Sequence, residues 1–81
     1  MGMTIEEIEE LEDLYNDTLK ELVACEGNEE EIHYRGKLLG MVTMLDILGY
    51  EPKEHGAEKV YFPKDGKPVK YYRYKIVKKE E

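Results

Sequence analysis

The sequence predicts an α+β fold, in which an antiparallel helical hairpin is followed by a two-stranded antiparallel β-hairpin (ααββ). Two segments in the first half repeat apolar residues every three or four positions, which is typical of amphipathic helices. The second half carries two runs rich in valine and tyrosine on either side of a Pro-Lys-Asp-Gly-Lys-Pro turn. Such runs favour strands. Eighty-one residues suit one domain, so 1–81 is assigned to a single domain.

The first predicted helix spans 4–25, after a start at 1–3 that we expect to be disordered. Thr4 and Glu7 have the spacing of a capping box, in which each side chain accepts a hydrogen bond from the other residue's backbone N–H. The apolar seam then consists of Ile8, Leu11, Tyr15, Thr18, Leu22 and Cys25. Gly27 is expected to take a positive φ just beyond this helix.

The second predicted helix spans 28–48. Asn28 is a good N-cap, and Gly49 followed by Pro52 is a stop signal. The apolar seam consists of Tyr34, Leu38, Met41, Leu45 and Leu48, and further apolar residues widen it. Because this surface exceeds what a helical hairpin covers, part of it is expected to meet the β-hairpin, a second subunit or both.

Gly36 and Gly40 lie four residues apart on the second helix. A glycine inside a helix costs about 1 kcal/mol relative to alanine. We therefore expect another backbone of the same chain, from helix one or the β-hairpin, to pass close to these two positions.

The predicted β-hairpin spans 57–78, after a short loop at 53–56. Asp65 and Gly66 at the centre of its turn are a strong hairpin signal. In the second strand, alternation predicts that one face packs on the helices and the other is exposed. The inward face is expected to carry Tyr72, Tyr74 and Ile76, and the outward face Tyr71, Arg73 and Lys75.

A domain of this size has a thin stability margin, and small domains often gain stability from a disulfide, a metal or a partner chain. The single cysteine excludes an internal disulfide, and the cysteine and two histidines lack zinc-site spacing. We therefore expect a homo-oligomer, with a dimer favoured. The predicted interface consists of Leu38, Met41 and Leu45 on the second helix.

Acidic residues concentrate in the first part of the chain and basic residues in the second. Residues 1–32 contain twelve acids and one base, a net charge of −11, and 33–81 contain seven acids and eleven bases, a net charge of +4. Acids favour the first turns of helices and lysines favour exposed strand edges, which is one explanation. The alternative is a functional surface, since an acidic helix can fit a basic groove on another protein.

The sequence predicts no catalytic, cofactor-binding or metal-binding residues, and hence no enzyme. Cys25, His33 and Glu30 are the one set that could approach a nucleophile and its base, but a buried thiol and a surface histidine are the commoner arrangement. Phosphate-binding loops, serine elbows and paired-cysteine motifs are absent from the sequence. No apolar run approaches the roughly 20 residues of a membrane helix, so we expect a cytoplasmic protein without a membrane partner.

The β-hairpin offers a candidate contact surface of four residues: Lys70, Tyr71, Arg73 and Lys75. Basic and aromatic side chains together suit single-stranded nucleic acid, because they pair with phosphates and stack on bases. The pI of about 4.9 argues against a dedicated nucleic-acid protein, so this partner is less favoured. A further alternative is a protein that sequesters a small molecule or nucleotide between subunits.

The segment from Tyr34 through Gly36, Gly40 and Leu48 to Tyr50 resembles the second helix of small uncharacterised proteins encoded by phages and prophages. Those proteins carry a similar aromatic-x-Gly-x-x-x-Gly pattern that runs into a Leu-Gly helix end. The resemblance implies a phage or mobile-element origin and assigns no functional residues. The leading hypothesis is therefore a non-enzymatic interaction protein that self-associates through the second helix and binds another protein.

Overall fold

A computed structural model describes residues 2–64 and 66–79 and confirms the predicted α+β class. Its elements are α1 (Ile5–Ala24), α2 (Asn28–Leu48), β1 (Tyr50–Glu54), β2 (Lys59–Tyr61), β3 (Val69–Tyr71) and β4 (Tyr74–Lys78). Strand β1 pairs antiparallel with β4, and β2 pairs antiparallel with β3. The four strands thus form one long hairpin that is interrupted near its middle. Strands β1 and β2 make its first arm, and β3 and β4 make its second.

The helix ends agree with the expected capping at Thr4 and Glu7 and at Gly49, but not at Gly27 or at Asn28, which was expected to be the N-cap of the second helix. Thr4 and Glu7 form the predicted capping box, with N···O distances of 3.1 and 2.9 Å. Gly49 ends α2 at a φ of 86°, which a glycine adopts without strain. The expectation for Gly27 is wrong, because its φ is −96°: it is the N-cap of α2, and Asn28 is the first helical residue.

The core lies where the end of α2 meets β1, β4 and the start of α1. Its buried centre is formed by Leu45, Tyr50 and Ile76, which are 1%, 5% and 5% exposed. Met3, Ile8 and Leu11 pack against it. Met3 lies in the segment that was expected to be disordered, and its backbone N–H donates to the Tyr50 hydroxyl at 3.2 Å.

Strand β1 occupies a segment for which the sequence predicted a helix stop and a loop. Pro52 lies inside this strand, opposite Ile76. The Ile76 N–H donates to the Glu12 carboxylate and not across the ladder. Pro52 and Ile76 therefore form a non-hydrogen-bonded pair, in which the N–H that proline lacks is not required.

The interruption of the hairpin corrects the predicted strand faces. Beyond the bond from the His55 N–H to the Arg73 carbonyl, the first strand bulges, with Gly56 at a φ of 82°. Pairing resumes at Lys59 and Tyr71, and the more buried positions change from Tyr74 and Ile76 in β4 to Val69 and Tyr71 in β3. Tyr71 is half-buried although we expected it outward, and Tyr72 is 41% exposed although we expected it inward. The turn residue Asp65 lies outside the described residues.

Helix α1 is joined to the edge of β4 by hydrogen bonds from its side chains. The Asn16 amide is fully buried, and its Nδ2 donates to the carbonyls of Glu12 at 2.7 Å and Tyr74 at 2.9 Å. Its Oδ1 accepts from the Tyr74 N–H at 2.8 Å. The Glu12 carboxylate accepts from the Ile76 N–H at 3.0 Å. Two polar side chains of α1 thereby satisfy backbone groups that an open strand edge leaves unpaired.

Tyr15 and Tyr74 meet edge to face beside this junction, with ring centroids 5.5 Å apart. Burial raises the pKa of Tyr15 above its ordinary value of 10.0, and Tyr74 adds to the effect. Burial also raises the pKa of Tyr74, as does the neighbouring Glu54 carboxylate. The fold therefore favours the neutral form of both phenols.

The raised pKa of Tyr15 predicts a loss of stability in alkali. Below pH 10 the phenol is neutral in the folded and unfolded chains, so its burial contributes fully. As the pH rises from there through the raised pKa, the unfolded chain releases its proton first, and the free energy of unfolding falls. Urea unfolding at pH 8 and pH 10.5 measures this fall. Tyr15→Phe is expected to reduce it, whereas Tyr72→Phe, a control at an exposed ring, should leave it unchanged; equal falls in both variants would contradict the prediction.

Candidate interaction surface

Helix α2 carries apolar side chains on two opposite sides. Leu45 is buried in the core, and Leu38 and Met41, on the same side, are half-buried. The opposite side, called here the outer face of α2, is formed by Ile32, Gly36, Leu39, Gly40, Thr43 and Ile47. Residues at these spacings share one side of a helix with about 3.6 residues per turn.

The large side chains of the outer face are turned to solvent. Ile32 is 71% exposed, Leu39 68% and Ile47 80%. Met44 and Leu48, on one flank, are also exposed. Scattered exposed apolar residues are ordinary, but an uncharged strip along roughly four turns of one helix is not.

The centre of the outer face is open and free of unsatisfied polar groups. A methyl group added at Gly36 or Gly40 would have no atom from elsewhere in the chain within 4 Å. The expectation that helix one or the β-hairpin packs across these glycines is therefore wrong. The Thr43 hydroxyl donates to the Leu39 carbonyl at 2.8 Å, so its hydrogen-bonding capacity is used within the helix.

Between Ile32 and Ile47 no charged side chain lies on the outer face, but Glu29 continues the same side of the helix at its N-terminal end, and other charges border the face. Arg35 forms an ion pair with Glu31 at 2.6 Å along the helix. Asp46, on the same flank as Arg35, pairs with Lys79 just beyond β4. These side chains remain well exposed, so they are available to a partner that covers the strip.

The residues of the predicted oligomer interface, Leu38, Met41 and Leu45, lie on the side of α2 that is largely covered within the single chain. Leu45 is buried within the single chain, and Leu38 and Met41 are half-buried on the side that faces the core. The sequence correctly indicated surplus apolar surface on this helix. The surplus is found on the opposite side.

The four predicted contact residues of the β-hairpin do not form one surface. Lys70 and Lys75 are exposed, and Lys70 lies 3.9 Å from Glu58. Tyr71 is half-buried on the side of α1, and Arg73 donates to Asp13 of α1 at 3.2 Å. The acidic helix and the basic hairpin therefore neutralise part of each other's charge within the chain.

The residues considered for chemistry occupy ordinary environments. The half-buried Cys25 thiol donates to the Leu22 carbonyl at 3.1 Å, and the His33 ring packs edge-on against Tyr34. Cys25 also borders an open cleft of about 500 Å³ between the helix junction and the end of the hairpin, with Tyr61 and Lys64 on its other side. Among residues 2–64 and 66–79, no three histidine, cysteine or carboxylate side chains cluster as metal ligands would.

In the part of the chain that the structure describes, neither helix has the length and apolar character needed to cross a membrane. No protein family matches this chain, and no curated protein or solved structure shows significant similarity to it. The outer face of α2 was missed at the sequence level. The signal was present, since Ile32, Gly36, Leu39, Gly40, Thr43 and Ile47 form an uncharged strip.

Proposed function

We propose that this protein is a small non-enzymatic interaction protein, which self-associates through the outer face of α2 and binds a further protein. The observation that supports this proposal is one helix face on which exposed Ile32, Leu39 and Ile47 surround two glycines without any charge. Large exposed apolar patches on small proteins commonly mark interaction sites. A chain with so few fully buried side chains also gains stability from a partner.

The exposed side of α1 is the proposed surface for the further protein. It carries Glu6, Glu10, Asp17 and Glu21 on the side away from the core, whereas Asp13 is paired with Arg73. An array of carboxylates on a rigid helix suits a basic protein surface, because complementary charge speeds association and selects partners. The phage or mobile-element origin and the cytoplasmic location remain predictions, as do the nucleic-acid and small-molecule alternatives.

Self-association through the outer face predicts a large effect of Ile47→Lys. Burying an isoleucine contributes about 1.5–3 kcal/mol, and a symmetric dimer contains the position twice. We therefore expect the dissociation constant of the oligomer to rise at least about 100-fold, because lysine loses this burial and adds charge desolvation. Size exclusion with light scattering measures the mass over a concentration series.

The matched control is Leu14→Lys, which makes the same kind of change at an exposed apolar residue of α1. This variant should keep the wild-type mass. A wild-type chain that stays monomeric at millimolar concentration would contradict the proposed self-association. An equal fall in the oligomer mass of both lysine variants would show that the outer face of α2 has no special part in self-association.

A further inference from the structure

We infer that the outer face of α2 is covered by the same face of a second copy of this chain, with the two helices antiparallel and closest at Gly40. The inference rests on the proposed self-association and adds its geometry. Three observations carry it: the exposed apolar area, the open backbone at the glycines and the order of the charges beside the strip.

The exposed apolar area of this face is close to what a small dimer interface buries. The exposed parts of the four large apolar side chains on or beside this face, Ile32, Leu39, Met44 and Ile47, amount to on the order of 500 Å². The glycine backbone and the aliphatic stems of bordering residues enlarge this area. The total approaches the roughly 600–800 Å² per partner that specific interfaces bury.

The glycines allow the two backbones to approach closely. Gly36 and Gly40 have open space where other residues carry a side chain. Helices that cross at small residues come nearer to each other and gain more contact between their backbones and the flanking side chains. Gly40 is also the midpoint of the strip, since Ile32 and Ile47 lie eight residues before it and seven after it.

A two-fold axis through Gly40 pairs each position with the one equally far on the other side. Ile32 of one copy then meets Ile47 of the second copy, and Gly36 meets Thr43 or Met44. Such an axis also places each flank of the strip next to the same flank of the second copy. Arg35 and Asp46 share a flank and lie five residues before and six residues after Gly40, so each arginine approaches the aspartate of the other copy.

A parallel pair is disfavoured by the same charges. It places the acidic first turns of both helices, Glu29 to Glu31, side by side. It also sets the flank with Arg35 against the opposite flank of the second copy, which carries Lys37. Like charges at close range repel each other, so electrostatics select the antiparallel arrangement.

Disulfide trapping distinguishes the two arrangements. We would prepare Ile32→Cys and Ile47→Cys separately, each in a Cys25→Ser background, and oxidise them alone and mixed. In the antiparallel pair two copies of residue 32 lie about 24 Å apart, from a rise of 1.5 Å per residue. A disulfide requires Cα atoms within about 7 Å. Cross-linked dimer is therefore expected only in the mixture.

The outcomes separate this inference from the proposed function. Cross-linking of either variant with itself, in a chain that light scattering shows to be oligomeric, would overturn the antiparallel geometry and leave self-association intact. An oligomer in which neither the single variants nor the mixture cross-link would do the same. A monomeric wild-type chain would overturn both the geometry and the function from which it follows.

Gly40→Ala is a second test, in which we expect the monomer to become more stable and the dimer to become weaker. An added methyl group meets nothing within the chain and improves the helix propensity, so unfolding of the dilute monomer should shift to higher denaturant concentration. The same methyl group holds the two helices apart, and we expect the dimer dissociation constant to rise about tenfold. An unchanged or lower dissociation constant would overturn the close crossing at this residue.

Discussion

Replacing Asn16 with alanine is expected to lower the free energy of unfolding by about 2–4 kcal/mol, because it leaves buried backbone groups without partners. The amide is fully buried, and it satisfies both the N–H and the carbonyl of Tyr74. Alanine can make neither bond, and it fills less of the space between α1 and β4. The loss is large for a domain whose total stability is about 5–15 kcal/mol.

Urea unfolding followed by circular dichroism measures this loss, and amide exchange at Tyr74 locates it. Asn28→Ala is the matched control, since Asn28 is exposed at the first turn of α2. Its effect should stay within about 0.5 kcal/mol. Asn16→Asp should also destabilise the protein at neutral pH, because a carboxylate cannot donate to the Tyr74 carbonyl. An alanine variant as stable as the control would show that the Asn16 bonds contribute little to the fold.

Leu45→Ala is expected to cost about 2–5 kcal/mol, the range found when a buried leucine leaves a cavity. Leu45 is 1% exposed and lies at the centre of the core, with Tyr50 and Ile76. The contacts that the variant loses connect three parts of the chain in the native protein: α2, β1 and β4. This variant should therefore loosen the hairpin as well as the helix in which it lies.

The comparison with Leu14→Ala makes this test specific. Leu14 is exposed on α1, and its replacement should change the free energy of unfolding by about 0.5 kcal/mol or less. Thermal or urea unfolding of both variants at the same concentration gives the difference. If Leu45→Ala kept the stability of the chain but abolished its oligomer, the result would support the interface of Leu38, Met41 and Leu45 that the sequence first indicated.

The charge pattern illustrates how tertiary contacts change the meaning of a sequence feature. The split between an acidic first part and a basic second part is plain in the sequence. The fold brings the two together, as Arg73 binds Asp13 and the Lys20 ammonium lies 5.6 Å from the Tyr61 ring centre. Part of the asymmetry therefore serves packing, whereas other charges, among them most of the outward carboxylates of α1, remain exposed.

Local signals in the sequence determined the fold class, because they depend on neighbouring residues. The capping box at Thr4 and Glu7 and the left-handed Gly49 each act within one helical turn, and both are present as expected. The single-sided seam of α1 identified its buried side, since its other side is mostly charged. The strand Tyr50–Glu54 was missed, because the stop signal at Pro52 is also compatible with a non-hydrogen-bonded strand position.

Only the tertiary structure decided which side of α2 is buried and which side of the hairpin faces α1. Apolar residues surround α2, so periodicity alone could not choose between Leu45 and the strip that contains Leu39 and Ile47. The interruption between β3 and β4 reversed the strand alternation at a point that no pairing rule marks in the sequence. The role of Asn16 likewise depends on a strand 58 residues away. Local propensity specifies the elements of this protein, whereas contacts between residues distant in sequence specify the faces on which they meet and thereby its exposed apolar surface.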